Sequence, residues 1–438
     1  FNTIVSFDIF GKDDSLNAKT FMLGYSNNLY VSKNNIYITY QKNMPWDYYR
    51  YAKKEVFFKV IVPLLPANTA KEIEAIENNK NLGDNEKWEK ISEKLENMYN
   101  QMEDETAKKE LINTIKEAVL EYETKEQEKR QKTIIHKINI NKGEITYKTK
   151  GEVPGYLLNQ FSMDEHENNF RVATTTSLWI RNKGRVQYYN VFVLDEKMKI
   201  EGKITGIAPD ETIYSTRFMG DRLYMVTFKT IDPFFVIDLS SPKNPKILGE
   251  LKIPGYSDYL HPYDSNHVIG IGKETDSNQW GGTSIKGVKI ALFDVSDVEN
   301  PKQVDKYEIG TSGTDSEALR DHKAFLFDKE KNILVIPIRK VEGDNYQKRS
   351  YWYGAYVLGI TPEDGISKKG TITHSDYIQG EHYYDYLSAY EVRRSLYMDD
   401  VLYTISSKLI KMNNLDDLDE EINEIKLPYS DNYREYYW

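Results

Sequence analysis

An all-β fold is predicted: a β-propeller of about seven four-stranded blades, with six to eight compatible, and a helical hairpin inserted in one blade. Three observations predict it. The stretch DLSSPKNPKILGEL, Asp238 to Leu251, returns as DVSDVENPKQVDKYEI from Asp294 to Ile309. A second kind of unit, an aromatic-flanked strand, a two-residue polar turn and an apolar strand, precedes each such copy. From Pro66 to Lys132 strand character vanishes and charged sequence with a helical period takes its place.

The first unit has weaker copies beginning at Val5, His136, Val191, Ala355 and Leu409. Each is an apolar strand, a turn rich in Asp, Asn, Pro or Gly, and a strand of alternating character. The second unit begins at Tyr25, Asn159, Tyr214, Tyr256, His322 and Arg393. Joined in order they make a four-stranded meander with a spacing of roughly 43 to 65 residues, the period of propeller blades rather than of helical solenoids. Phe1 to Gly24 holds only the two outer strands of a blade. Its inner strands are expected from the C-terminal tail SDNYREYYW or from residues upstream. Phe1 stands inside a strand-like run, TIVSFDIF, which suggests a processed or partial chain.

The insertion carries two apolar stripes in steps of three and four: Trp88, Ile91, Leu95, Met98 and Met102, then Leu111, Ile115, Ala118 and Tyr122. EDET separates them, with Asp104 or Thr106 as the N-cap, so an antiparallel hairpin is expected. Its narrow apolar seam fits a projection, either a docking or oligomerisation arm or a solvent-exposed decoration. The chain thus divides into propeller residues 1–65, the inserted hairpin 66–132, and the remaining blades 133–438.

Composition narrows the function. A formal net charge of −10 and the absence of any Lys/Arg-rich block remove the footprint that nucleic-acid binding needs. No apolar run reaches the roughly 20 residues that span a bilayer. There is no cysteine, hence no disulfide, thiolate metal site or cysteine nucleophile. Lys and Glu are abundant and Gln scarce, a bias reported for proteins of hot environments; genomic base composition is the other explanation.

PGYLLNQFSMDEHENNFRVATT, YSTRFMGDRLYMVTF, DPFFVIDLSSPKNPKILGELKIPGYSDYLHP and SEALRDHKAFLFD resemble a family of secreted archaeal and bacterial proteins. The C-terminal β-propeller of that family is distantly related to WD-repeat proteins. The resemblance extends over nearly the whole chain, including a charged helical segment in the same place. It implies a propeller and an extracellular or cell-surface location, and brings no established activity with it.

Chemistry was sought in the seven histidines. None pairs with another at the spacing of zinc hydrolases, and a site built from His261, His322 and His382 with Asp258, Asp321 and Asp385 is disfavoured. No metal and no cofactor is expected. Glu317 and Asp321-His322 form an acid/base candidate, against which stands a role in tying strands together. MDEHENN at Met163 is acidic but lacks the ligand spacing and glycine of a calcium loop. Arg171, Arg217, Arg320, Arg393 and Arg394 recur beside the first strand of several units; either they make a basic funnel for an anion or their stems pack between blades with heads paired to acids. Aromatic clusters at Trp46, Tyr351, Glu381 and Tyr433 suit protein contact first and sugar stacking second.

The candidate binding residues are therefore Trp46, Trp88, Arg171, Arg217, His261, His322, Trp352 and Arg393. The expected function is a secreted or cell-surface, non-enzymatic module that binds a protein partner or itself through loop aromatics and the hairpin. An extracellular hydrolase or lyase with a central-channel site, or a propeller binding a polysaccharide, is the alternative.

Overall fold

Continuous apolar runs and alternating runs divide the strands into two kinds, and the structure uses each kind in one place. The computed structural model describes residues 1–9, 16–26, 28–42, 53–180, 183–228, 232–277, 283–343, 349–374 and 389–428. Their strands form seven antiparallel sheets, each paired in chain order, six of four strands and one of two. Sheet 1 is the pair Asn2–Ser6 and Asn17–Phe21. Sheet 2 takes Asn28–Val31, Asn35–Lys42, Lys132–Asn141 and Glu144–Pro154. Sheet 3 takes Met163–His166, Asn169–Ile180, Gly184–Leu194 and Ile200–Ile207. Sheet 4 takes Thr212–Met219, Arg222–Phe228, Asp232–Asp238 and Lys246–Ile253. Sheet 5 takes Tyr256–Pro262, His267–Ser277, Thr283–Asp294 and Lys302–Ile309. Sheet 6 takes Leu326–Asp328, Ile333–Glu342, Ser350–Thr361 and Gly365–Ile372, and sheet 7 takes Arg394–Met398, Val401–Ile405, Leu409–Asn414 and Glu421–Lys426. The six complete repeats and the half repeat read from the sequence are these sheets. The tail from 429, with Trp438, lies outside the described residues, as do Trp46, His382 and Asp385.

The chain clusters into two compact units, Phe1–Leu157 with Thr174–Asn190 and Lys197–Lys199, and Leu158–Ala173 with Val191–Glu196 and Ile200–Trp438. In the second unit the middle strands of sheets 4, 5 and 6 are buried on both faces. Ile269 and Ile271 of sheet 5 pack in one cluster with Leu334, Ile336 and Ile338 of sheet 6, while Val268 packs with Tyr224, Val226 and Phe234 of sheet 4. Phe234 and Phe293 stack across that second layer at 4.8 Å. Two-sided burial is why HVIGIG and ILVIPI read as unbroken apolar runs, whereas the outer strand KQVDKYEI, with one face in water, alternates. Each side chain so buried contributes about 1.5–3 kcal/mol.

The repeated sentence has a physical reason. Asp238 and Asp294 each end a third strand, and each carboxylate accepts the backbone N–H two residues on, from Ser240 at 2.9 Å and Ser296 at 2.8 Å. The two turns therefore have one geometry, with a register shift just before each, at Val236/Ile237 and Leu292/Phe293. Each turn packs against the outer strand of the sheet before it, where a glycine makes room. A Cβ on Gly202 would overlap the carbonyl of Pro242, and one on Gly249 would lie 2.5 Å from that of Val298. Aligning the two sentences puts Asp305 where Gly249 stands, and there the glycine moves to the other side. Asp305 accepts from the Ile366 N–H at 2.7 Å, beside Gly365 in the next sheet's turn.

The helical segment lies in the first unit and comprises α1 (Ala67–Asn78), α2 (Asp84–Gln101) and α3 (Glu105–Arg130). Both stripes fall on helices except Met102, which stands just past the end of α2, and Asp104 caps α3 by accepting from Thr106 N at 2.8 Å and Ala107 N at 3.2 Å. The expected two-helix hairpin gains a third helix. α1 and the turns Phe57–Ile61 and Val62–Leu64 close over the seam, so Val62, Leu65, Ile73 and Ile91 form a small core that also holds Leu95, Met98 and Ile115. Nor does the segment only project. The Gln127 side chain accepts from Trp179 N at 2.9 Å and donates to Trp179 O at 3.0 Å. Gln131 does the same to Ser177, accepting from its N–H at 3.0 Å and donating to its carbonyl.

Gly249→Ala is expected to lower stability by about 1–3 kcal/mol, because backbone rather than a flexible side chain must move. Glu250→Ala next to it, an exposed position with a surface ion pair, should stay within about 0.5 kcal/mol of the parent in urea unfolding. Equal effects at the two positions would remove the close approach as their cause.

Candidate functional site

Sheet 6 and the segments that lead into sheets 6 and 7 line a cleft of about 310 Å³ within the second unit. It is built on the segment TDSEALRDHKA that leads into sheet 6. Asp315 fixes one wall, its backbone exchanging two hydrogen bonds of 2.8 Å with Arg339. Ser316 then caps a 3-10 turn over Glu317–Leu319, and Asp321 caps a second over His322–Ala324 by accepting from Lys323 N at 3.0 Å. Two short caps in succession bring Glu317, Arg320 and Asp321 to the same opening. Glu391, Val392 and Arg393, just before sheet 7, form the facing wall.

Charges inside the cleft are paired. Arg320 grips Asp315 through two bonds of 3.1 and 2.7 Å, and Lys273 of sheet 5 stands 3.4 Å from the same carboxylate. Arg394 of sheet 7 reaches Glu317 at 3.0 Å and also holds Asp321. Burial alone would raise the Asp315 carboxyl, but Arg320 and Lys273 hold it below the ordinary carboxylate value. Asp258 fares differently. It sits in a register shift between Ser257 and Tyr259 of sheet 5, and burial pushes its carboxyl up to about 7, with Asp315 adding to the rise and Lys273 and Arg320 opposing it. Glu391 is also raised by burial, against the pull of Arg339 and Arg393.

A second cluster gathers three of the predicted residues. The Arg217 guanidinium lies 4.9 Å over the Phe161 ring, His322 meets the same ring edge-on at 4.9 Å, and Phe161 packs on Tyr259 at 5.3 Å. His261 Nδ1 is 3.1 Å from the Tyr259 hydroxyl. Burial, with Arg217 adding, lowers His261 to about 4, so the imidazole is neutral at neutral pH. Arg217, His261 and His322 thus meet as an aromatic stack, and Arg393 lines the cleft.

The other candidates go elsewhere. Arg171 is 3% exposed, bonded to Asp164 at 2.9 Å and to the Gly220 carbonyl at 2.7 Å, which is the packed, acid-paired arrangement rather than a funnel. Trp88 packs edge-on against Phe57 at 5.1 Å within the helical segment. Trp352 is half-buried against Tyr356 at 5.3 Å. Among the described residues no three His, Asp or Glu side chains come together as a metal-holding group. Lys273, Asp315, Arg339 and Glu391 escaped sequence reading because they come from well-separated stretches of chain in three successive repeats. The one local sign was a capping residue, Ser316 or Asp321, repeated five residues apart ahead of an apolar strand.

Comparison with known proteins decides the family. A model of the beta propeller domain matches residues 1–418. The chain belongs to the beta-propeller family. This propeller is 39% identical over 319 residues to an uncharacterized protein of Methanocaldococcus jannaschii, covering 72% of the chain and 47% of that relative. It is 37% identical over 295 residues to an uncharacterized protein of Archaeoglobus fulgidus, covering 67% and 39% respectively. The chain therefore spans less than half the length of these archaeal relatives. Among solved structures the C-terminal WD40 domain of Sif2 aligns with a TM-score of 0.31 and 10% identity, over 67% of this chain and 66% of that one; the family match, not this likeness, carries the assignment. No described helix is long and apolar enough to cross a membrane.

The raised Asp258 carboxyl gives the propeller a signed pH dependence. The unfolded chain ionises near the ordinary value of about 3.9 while the folded chain keeps its proton to about 7, so this group's contribution to stability is complete below about 4 and is lost as pH rises to about 7. Asp258→Asn should therefore gain on the parent between pH 4.5 and 7.5 in urea unfolding. A parent-to-variant difference that is the same at both pH values would refute the assignment.

Proposed function

We propose that this propeller is a non-enzymatic protein-interaction module of a secreted or cell-surface protein, and that the cleft lined by sheet 6 and the segments leading into sheets 6 and 7 is where it engages its partner. The cleft's division of labour carries the reading. Its inner carboxylates Asp315, Glu317 and Asp321 are held by Lys273, Arg320 and Arg394, an arrangement that fixes them in place. Arg339, within the second strand of sheet 6, and Arg393, just before sheet 7, line the same cleft with exposed side chains. The propeller fold is of a kind that serves protein interaction in general, and the resemblance to secreted proteins supports the location.

One observation favours a hydrolase or lyase instead: Asp258 and Glu391 have raised carboxyls beside arginines. Immobilised parent and the Arg339→Gln/Arg393→Gln variant, exposed to the surface proteins of the source cells, separate the two. A protein retained by the parent and lost from the variant is expected. Retention of nothing, together with turnover of model esters or glycosides that Asp258→Asn abolishes, would transfer the assignment to the enzyme reading.

The helical segment is proposed as a second contact surface, including for a second copy. Replacing residues 70–123 by a short Gly-Ser linker leaves Gln127 and Gln131 in place, so the sheets should still fold while light scattering shows association lost. Unchanged mass in solution would confine the segment to a structural role.

A further inference from the structure

The cleft's ion pairs do not use its cations evenly. Around it stand five cations, Lys273, Arg320, Arg339, Arg393 and Arg394, and the ion pairs of Asp315, Glu317 and Asp321 leave Arg393 out. Arg339 is half-exposed, and its nearest carboxylate, Asp315 at 3.7 Å, already serves Arg320 and Lys273. The Arg393 side chain is exposed and makes no hydrogen bond or ion pair among the described residues. In a chain of net charge −10 these are two exposed guanidinium groups at a concave opening.

We infer that the cleft recognises a carboxylate of a peptide, an acidic side chain or a free chain end, gripped between the guanidinium groups of Arg339 and Arg393. The inference rests on the protein-interaction reading and names the chemistry of the partner. A guanidinium offers a planar fork that matches a carboxylate's two oxygens, and two such groups on opposite walls can take both. The opening of about 310 Å³ has room for a side chain or a few residues, not for a folded domain. Glu391 lines the same cleft but makes no ion pair with either arginine among the described residues, so it leaves both forks open to the ligand.

Three N-acetylated, fluorescein-labelled peptides test this by polarisation: hexaglutamate with an amidated end, hexaserine with a free carboxylate end, and hexaglutamine with an amidated end as the neutral shape control. Binding of hexaglutamate or of the free-ended hexaserine, and not of hexaglutamine, is expected, and which of the two binds distinguishes side chain from chain end. Arg339→Gln/Arg393→Gln should weaken binding by about tenfold or more, and Arg339→Lys/Arg393→Lys, which keeps charge but loses the fork, should fall between. Unfolding midpoints of both variants should match the parent, since neither side chain is buried. The carboxylate site is overturned if neither acidic peptide binds, if hexaglutamine binds as well, or if the Gln variant binds like the parent. Arginine-dependent capture of a partner without carboxylate binding would keep the module reading and sink this one. Carboxylate binding without any captured partner would do the reverse.

Discussion

The glycine that lets one sheet accept the turn of the next is the constraint on which the second unit depends. Sheets whose middle strands are apolar on both faces are stable only when stacked, and stacking requires each outer strand to approach a neighbouring turn at backbone distance. Gly202 and Gly249 supply the space from the strand side, and Gly365 supplies it from the turn side where Asp305 has taken the strand position. Asp238 and Asp294 fix the turns that enter those spaces. Core packing, strand register and the placing of the cleft all follow once consecutive sheets are locked at this spacing.

Much of that was legible in the sequence because it is local. A turn, its capping Asp and its flanking strands lie within some fifteen residues, so their repetition shows directly as text, and the half repeat at Phe1 is the two-stranded sheet 1. The third helix was not legible as part of the insertion's core. Ile73 and Ile76 make a short stripe on α1, and what buries them, Val62 and Leu65, belongs to turns without a helical period.

The site divides along the same line. Arg217, His261 and His322 were picked from separate repeats, and they meet because the first strands of sheets 4 and 5 and the turn ahead of sheet 6 pack around Phe161 and Tyr259. Arg171 was picked by the same rule and is buried against Asp164, since its sheet offers an acid seven residues earlier on the paired strand. Nothing in the sequence around Lys273 or Arg339 separates them from solvated strand-end charges. Their significance comes from Asp315, which Lys273 meets through its side chain and Arg339 through both backbone and side chain.

The two glutamines at the end of α3 bear on which lengths of chain the insertion tolerates. Four residues of helix rise about 6 Å, and two residues of strand about 6.7 Å, so side chains at positions 127 and 131 fall opposite alternate peptide units, 179 and 177. An α-helix has become a surrogate strand, with amides borrowed from side chains. Adding or removing one residue between Leu120 and Gln127 would swing both amides about 100° off the strand and leave its edge open. Between α1 and α2, where residues 79–83 face no such ruler, length is free to drift. The insertion thus has one end whose phase is set by the sheet and a far end where change costs little, and variation among related chains should gather there.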